Sequence, residues 1–167
     1  ALWLDKTEHG NWPYSLTVAG QYRFASEPVV ADLDNDGSAE VIFTTWTRKG
    51  SNTGGQLLIV SAQGALLHAV NLPRSTQTSD GALGAPTLAN IDADSDLEIV
   101  VGTINMGLVA YDVPGSADAR ILWGTGRGSF LRNGLAPVVC PPAIDVPGTG
   151  GAGPFFVYLP AVERPCR

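Results

Sequence analysis

The sequence predicts an all-β fold built of stacked, four-stranded antiparallel units, and three observations carry that expectation. Gly and Pro, 20 and 12 of 167 residues, make up about a fifth of the chain against an average near 12%, which favours short elements joined by turns over long helices. The segment EPVVADLDNDGSAEVIFTT aligns without gaps on APTLANIDADSDLEIVVGT, setting Pro28 on Pro86 at an offset of 58 residues. Runs such as Leu57, Leu58, Ile59 and Val60 are apolar on both faces, so the sheet that holds them must be covered on both sides. Four-stranded units with two buried faces and a period above about 40 residues describe the blades of a β-propeller. A two-sheet sandwich is the alternative, and it leaves the repeat unexplained.

Taken in order, residues 1–22 read as the end of a preceding blade, with Leu2, Trp3 and Leu4 in the place of a downstream strand. Residues 23–80 form the first full blade: a short apolar segment, the polar loop DLDNDGSAE at 32–40, the β-branched run VIFTT, and an apolar pair within GQLLIVSAQGALLHAV. Residues 81–134 repeat the plan with NIDADSDLE at 90–98, IVVGT, and a pair within GLVAYDVPGSADARILW. The chain thus holds about two and a half blades where propellers close with about four to eight, which predicts a partial propeller completed by further residues or other chains. Residues 135–167 form a Pro/Gly-rich tail ending in FFVYLPAV, expected as a docked strand, a loose terminus or an attachment segment. Cys140 and Cys166, with no metal-ligand spacing between them, read as a disulfide, with free thiols as the alternative.

The formal charge of −6 is local in origin. Asp32, Asp34, Asp36, Glu40, Asp92, Asp94, Asp96 and Glu98 supply half of the sixteen acids, so the acidity points to cation binding at two places and gives no support for a nucleic-acid surface. No apolar run reaches the roughly 18 residues of a membrane helix. The chain opens at Ala1 without a signal-like start, as expected of a processed product or a piece of a longer secreted precursor. His9 and His68 are the only histidines, and no nucleophile elbow, zinc-protease helix or phosphate-cradling loop accompanies them. Intrinsic catalysis is therefore not expected. Trp3, Trp12, Trp46 and Trp123 are expected to pack the core or the contacts between blades.

The acidic loops carry the chemistry. In the first, Asp32, Asp34, Asp36 and Glu40 present oxygens at relative positions 1, 3, 5 and 9, and Ser38 adds a backbone carbonyl at position 7. This is a hard-oxygen cage suited to Ca²⁺. Gly37 at position 6 permits a left-handed backbone turn. An EF-hand requires Glu at position 12, where Phe43 stands inside a β-branched run. A solvated polar turn is the competing reading, since Asp, Asn and Gly favour turns for backbone reasons alone. The second loop has Asn90 in place of the first carboxylate and Ser95 where Gly is favoured, while Asp92, Asp94, Asp96 and Glu98 keep its charge. A side chain forced into the left-handed region costs about 1 kcal/mol or more, so a weaker or partly water-filled site is expected there.

Residues 24–134 resemble the FG-GAP/VCBS repeats of bacterial surface proteins and integrin α-subunit propellers: the first loop fits DxDxDGxxE in full, and Gly84, Ala85 and Pro86 spell the family's GAP. WGTGRGSFLRNG at 123–134 is similar to the closing segments of secreted bacterial propellers. The resemblance implies Ca²⁺ in the hairpin between the first two strands of a blade, held by Asp32, Asp34, Asp36, Ser38 and Glu40, then by Asn90, Asp92, Asp94, Asp96 and Glu98. It further implies extracellular placement and a non-catalytic role in adhesion, recognition or scaffolding, with a protein or glycan partner. The alternatives are the C-terminal accessory segment of a secreted enzyme such as a protease, and a structural subunit of a cell-surface assembly.

Overall fold

A computed structural model of the chain describes residues 10–18, 21–47, 54–74 and 80–134. These residues form antiparallel sheets and no helix. The expected disulfide, the tail and the strand at Leu2–Leu4 lie outside them.

The first repeat folds as expected into four strands, β4 (Val29–Asp32), β5 (Glu40–Trp46), β6 (Gln56–Val60) and β7 (Leu66–Asn71), paired in sequence order. Before them come a two-stranded hairpin, β1 (Thr17–Val18) with β2 (Gln21–Tyr22), and the short β3 (Phe24–Ala25). β3 and β4 lie along the same edge of β5, interrupted at Ser26–Pro28. Pro28 has no N–H to give, and Ser26 continues the ladder in its place: its N–H donates to the Thr44 carbonyl at 2.8 Å, and its hydroxyl accepts from the Thr44 N–H at 3.0 Å. Phe24 stacks on Trp46 across this junction, ring centres 4.5 Å apart.

The second repeat gives β8 (Thr87–Ala89), β9 (Leu97–Gly102) and β10 (Leu108–Val113), a three-stranded sheet of order β10-β9-β8. Its fourth strand, β11 (Arg120–Trp123), forms where the sequence suggests but joins the first sheet by pairing with β4. The second unit is thus three-stranded in its own sheet, in place of the four strands expected. Two local features account for the departure. The turn after Val113 is closed by Ser116 N–H to Val113 C=O at 3.2 Å and Ala119 N–H to Ser116 C=O at 2.9 Å, which carries the chain away from β10. The edge of β4 meanwhile offers backbone groups that require partners. Just beyond β11, the Gly124 carbonyl accepts from Leu88 N–H at 2.8 Å, so one segment serves the free edges of both β4 and β8.

The first sheet is covered on both faces, as its apolar runs require. On one face Val29, Ala31, Ile42, Leu57 and Ile59 share a core with Leu88, Ile99 and Val101 of the second sheet, flanked by Val109, Tyr111 and Val113. On the other, Phe43, Leu58 and Val60 are covered by Trp12, Tyr14 and Leu16. Trp12 donates its indole N–H to the Ala62 carbonyl at 2.9 Å, which satisfies the polar end of a ring otherwise packed on Tyr14. Each fully buried branched side chain contributes about 1.5–3 kcal/mol, so this double core is the main source of stability. β7 is exposed along its whole length, with Leu66, Leu67 and Val70 open to solvent.

Candidate metal centres

The two acidic loops join strands paired in the same register. Val29 faces Ile42 and Ala31 faces Glu40 in the first hairpin; Thr87 faces Val100 and Ala89 faces Glu98 in the second, each pair displaced by 58 residues. The hydrogen bonds inside the loops recur on the same atoms. Leu33 N–H donates to Glu40 Oε2 at 2.8 Å, and Ile91 N–H to Glu98 Oε2 at 2.7 Å. Asp36 N–H donates to Asp34 Oδ1 at 3.2 Å, and Asp94 N–H to Asp92 Oδ1 at 3.0 Å. Ser38 N–H donates to Asp36 Oδ1 at 2.7 Å, and Asp96 N–H to Asp94 Oδ1 at 2.9 Å. Asp34, Asp36, Asp92 and Asp94 thus each bond the backbone two residues on, the local pattern that bends an acidic loop inward.

In the first loop Asp32, Asp34 and Asp36 bring carboxylate oxygens within 4.8 Å of one another. Two oxygens bound to one Ca²⁺ at about 2.4 Å each stand no more than about 4.8 Å apart, so this spacing fits a shared cation. Asp32 is 1% exposed. Its Oδ2 accepts from Gly37 N–H at 3.1 Å and faces the Arg120 guanidinium at 3.4 Å, while Oδ1 is buried and accepts no hydrogen bond. A carboxylate oxygen buried without a partner is costly, and its place in the acidic cluster would let a cation serve as that partner. Gly37 takes φ +92° as expected, and Asn35 is also left-handed at +56°. Burial first, and then the charges of Asp34, Asp32 and Asp36, push the Glu40 carboxyl above its usual range; the Leu33 N–H opposes them. Such a group gains from a nearby divalent charge.

The second loop keeps the frame and changes the donors. Asp92, Asp94 and Glu98 cluster within 4.8 Å, and so do Asp94, Asp96 and Asp112. Glu98 is 4% exposed, and its Oε1 is buried without a hydrogen bond. Asn90 brings no carboxylate to the loop; its side-chain amide donates to the Asp94 carbonyl at 2.7 Å. Ser95 avoids the strain expected of it, since the left-handed non-glycine residues among those described are Asn35, Arg127 and Arg132.

Three contributors escaped the sequence reading. Arg120 reaches Asp32 only because β11 pairs with β4. Asp112 stands opposite Glu98 across β9 and β10, and the visible signal is its place in β10, where the first repeat has Ser61. Ser116, fully buried, accepts the Leu97 N–H on its hydroxyl at 2.7 Å and anchors the end of the loop. Ser116→Ala should leave that N–H without its partner and lower stability by about 1–2 kcal/mol in urea unfolding.

No family model, curated protein or solved structure matches the chain.

Proposed function

We propose that this chain is a calcium-stiffened, non-catalytic module of stacked β-blades, part of an extracellular propeller that serves adhesion, recognition or scaffolding. The observation that carries the calcium reading is the pair of buried, hydrogen-bond-free carboxylate oxygens, Asp32 Oδ1 and Glu98 Oε1, one in each of two loops with the same register. A set made of carboxylate and carbonyl oxygens, without nitrogen or sulfur, suits Ca²⁺ over transition metals.

The stacking supports the propeller reading. The face of the first sheet that meets the second sheet bears Val29, Ala31, Ile42, Leu57 and Ile59. By register, its counterpart on the second sheet bears Thr87, Ala89, Val100, Leu108 and Ala110, and Leu108 is 78% exposed. Each sheet thus offers one face to the preceding unit and the equivalent opposite face to the next, a head-to-tail arrangement that rotation about an axis turns into a ring. Where β11 sits on β4 here, a complete ring would have further blades around it.

Calorimetric titration with CaCl2 tests the reading. The chain should take up calcium in a saturable step that equimolar Mg²⁺ does not abolish, because the smaller ion demands near-ideal octahedral geometry and gives up its water reluctantly. Absence of calcium uptake at millimolar concentration would count against it.

A further inference from the structure

The second repeat loses one carboxylate of the first loop and gains two elsewhere. Asn90 replaces Asp32, while Asp96 stands at the position of Ser38 and Asp112 at that of Ser61 across the next strand pair. The gains lie together: Asp94, Asp96 and Asp112 bring oxygens within 4.8 Å of one another. Asp96 is steered there by Gly115, whose N–H donates to its Oδ2 at 3.0 Å in the turn that follows β10. Asp94 also belongs to the cluster with Asp92 and Glu98. Glu98 is more than nine-tenths buried, stands opposite Asp112 in the sheet, and keeps Oε1 without a hydrogen bond. The Asn90 amide N–H is engaged with the Asp94 backbone and braces the start of the loop.

We propose that the second repeat holds its divalent cation in a cage displaced from the start of the loop toward β10, in which Asp112 supplies the carboxylate that Asn90 lacks. The ligands are then Asp94, Asp96 and Asp112, with Glu98 and Asp92 joined to them through the shared Asp94. Ligand charge count sets the strength of an oxygen site. The two clusters of the second loop, joined at Asp94, offer five carboxylates between them, and the cluster of the first loop offers three with Arg120 beside one of them. The substitutions at Asn90 and Ser95 therefore shift the second site without emptying it. This inference rests on the calcium reading of the loops.

Calcium titration of the full chain tests it, with wild type, Asp112→Asn, Asp34→Asn and Asn90→Asp compared. Asp112 is exposed, so the isosteric Asn variant should keep the fold, with circular dichroism as the check. Asp112→Asn should weaken one of two sites by roughly ten- to hundredfold and spare the site that Asp34→Asn removes. Asn90→Asp should bring no gain, because a carboxylate there cannot donate to the Asp94 carbonyl and gives up the bond that braces the loop. The proposal is overturned if Asp112→Asn binds calcium as wild type does, if it weakens the site that Asp34→Asn also weakens, or if Asn90→Asp strengthens the second site severalfold. A wild-type chain that binds no calcium would overturn both this proposal and the reading beneath it, whereas the other outcomes leave that reading standing.

Discussion

Gly81→Ala should destabilise the chain by about 3 kcal/mol or more, through backbone strain and overpacking together. Gly81 has φ +115°, and a Cβ there would lie 2.3 Å from the Thr45 carbonyl oxygen and 2.7 Å from Trp46 Cα. Neither atom is the end of a flexible side chain, so the sheet itself would have to move. The position matters because the segment around Gly81 crosses between the repeats. Ala82 N–H donates to the Thr45 carbonyl at 3.3 Å, Thr44 Oγ1 donates to the Ala82 carbonyl at 3.2 Å, and the Gly81 carbonyl accepts from Ile104 N–H at 2.9 Å beyond β9. A shift there disturbs the end of β5 and the second repeat at once. Gly37→Ala is the contrast: it is also left-handed, at φ +92°, but nothing lies within 4 Å of its added methyl. It should cost only about 1 kcal/mol. Urea denaturation of the two variants separates steric closure from backbone preference.

Glu40→Gln should reverse its effect with calcium. Glu40 is buried, and burial, aided by Asp34, Asp32 and Asp36, raises its folded pKa above the ordinary 4.5. A raised folded value means that protonated Glu40 stabilises the cation-free fold fully below pH 4.5, a contribution lost as the pH climbs through the folded value. At neutral pH the ionised carboxylate therefore works against the cation-free fold. Gln removes the charge and keeps a carbonyl oxygen to accept the Leu33 N–H. In excess chelator the variant should be as stable as wild type or more so, by up to about 1 kcal/mol. In calcium it should be less stable, because each tenfold loss of affinity removes about 1.4 kcal/mol of binding free energy. A variant less stable than wild type in both conditions would make Glu40 a structural brace only.

The parts of this fold written into neighbouring residues were legible, and those set by distant pairing were not. The loops at 32–40 and 90–98 and the hairpins around them follow from Asp and Gly placement next to β-branched runs, where local backbone preference and strand pairing agree. The double covering of the first sheet followed from Leu57 to Val60, buried on both faces in β6. The partner of β11 was hidden because Arg120 and Asp32 meet across 88 residues, and the four residues of β11 carry no pattern that names one edge over another. Asp112 was hidden for the same reason: in sequence it is one acid in an apolar strand, and only the register with Glu98 brings it to the loop. The relaxed backbone of Ser95 shows that a loop short of one glycine can route its turn through ordinary dihedrals.

The melting temperature of the wild-type chain, taken in calcium and again in excess chelator, tests the central claim most directly. Binding to the folded state alone stabilises a site by about 2.7 kcal/mol when free calcium is a hundredfold above Kd, which for a body of this size corresponds to roughly 10 °C. A rise of that order in calcium, diminished in Glu40→Gln, is the result that two carboxylate cages require. Equal melting temperatures in calcium and in chelator would contradict them and leave the loops as solvated acidic turns.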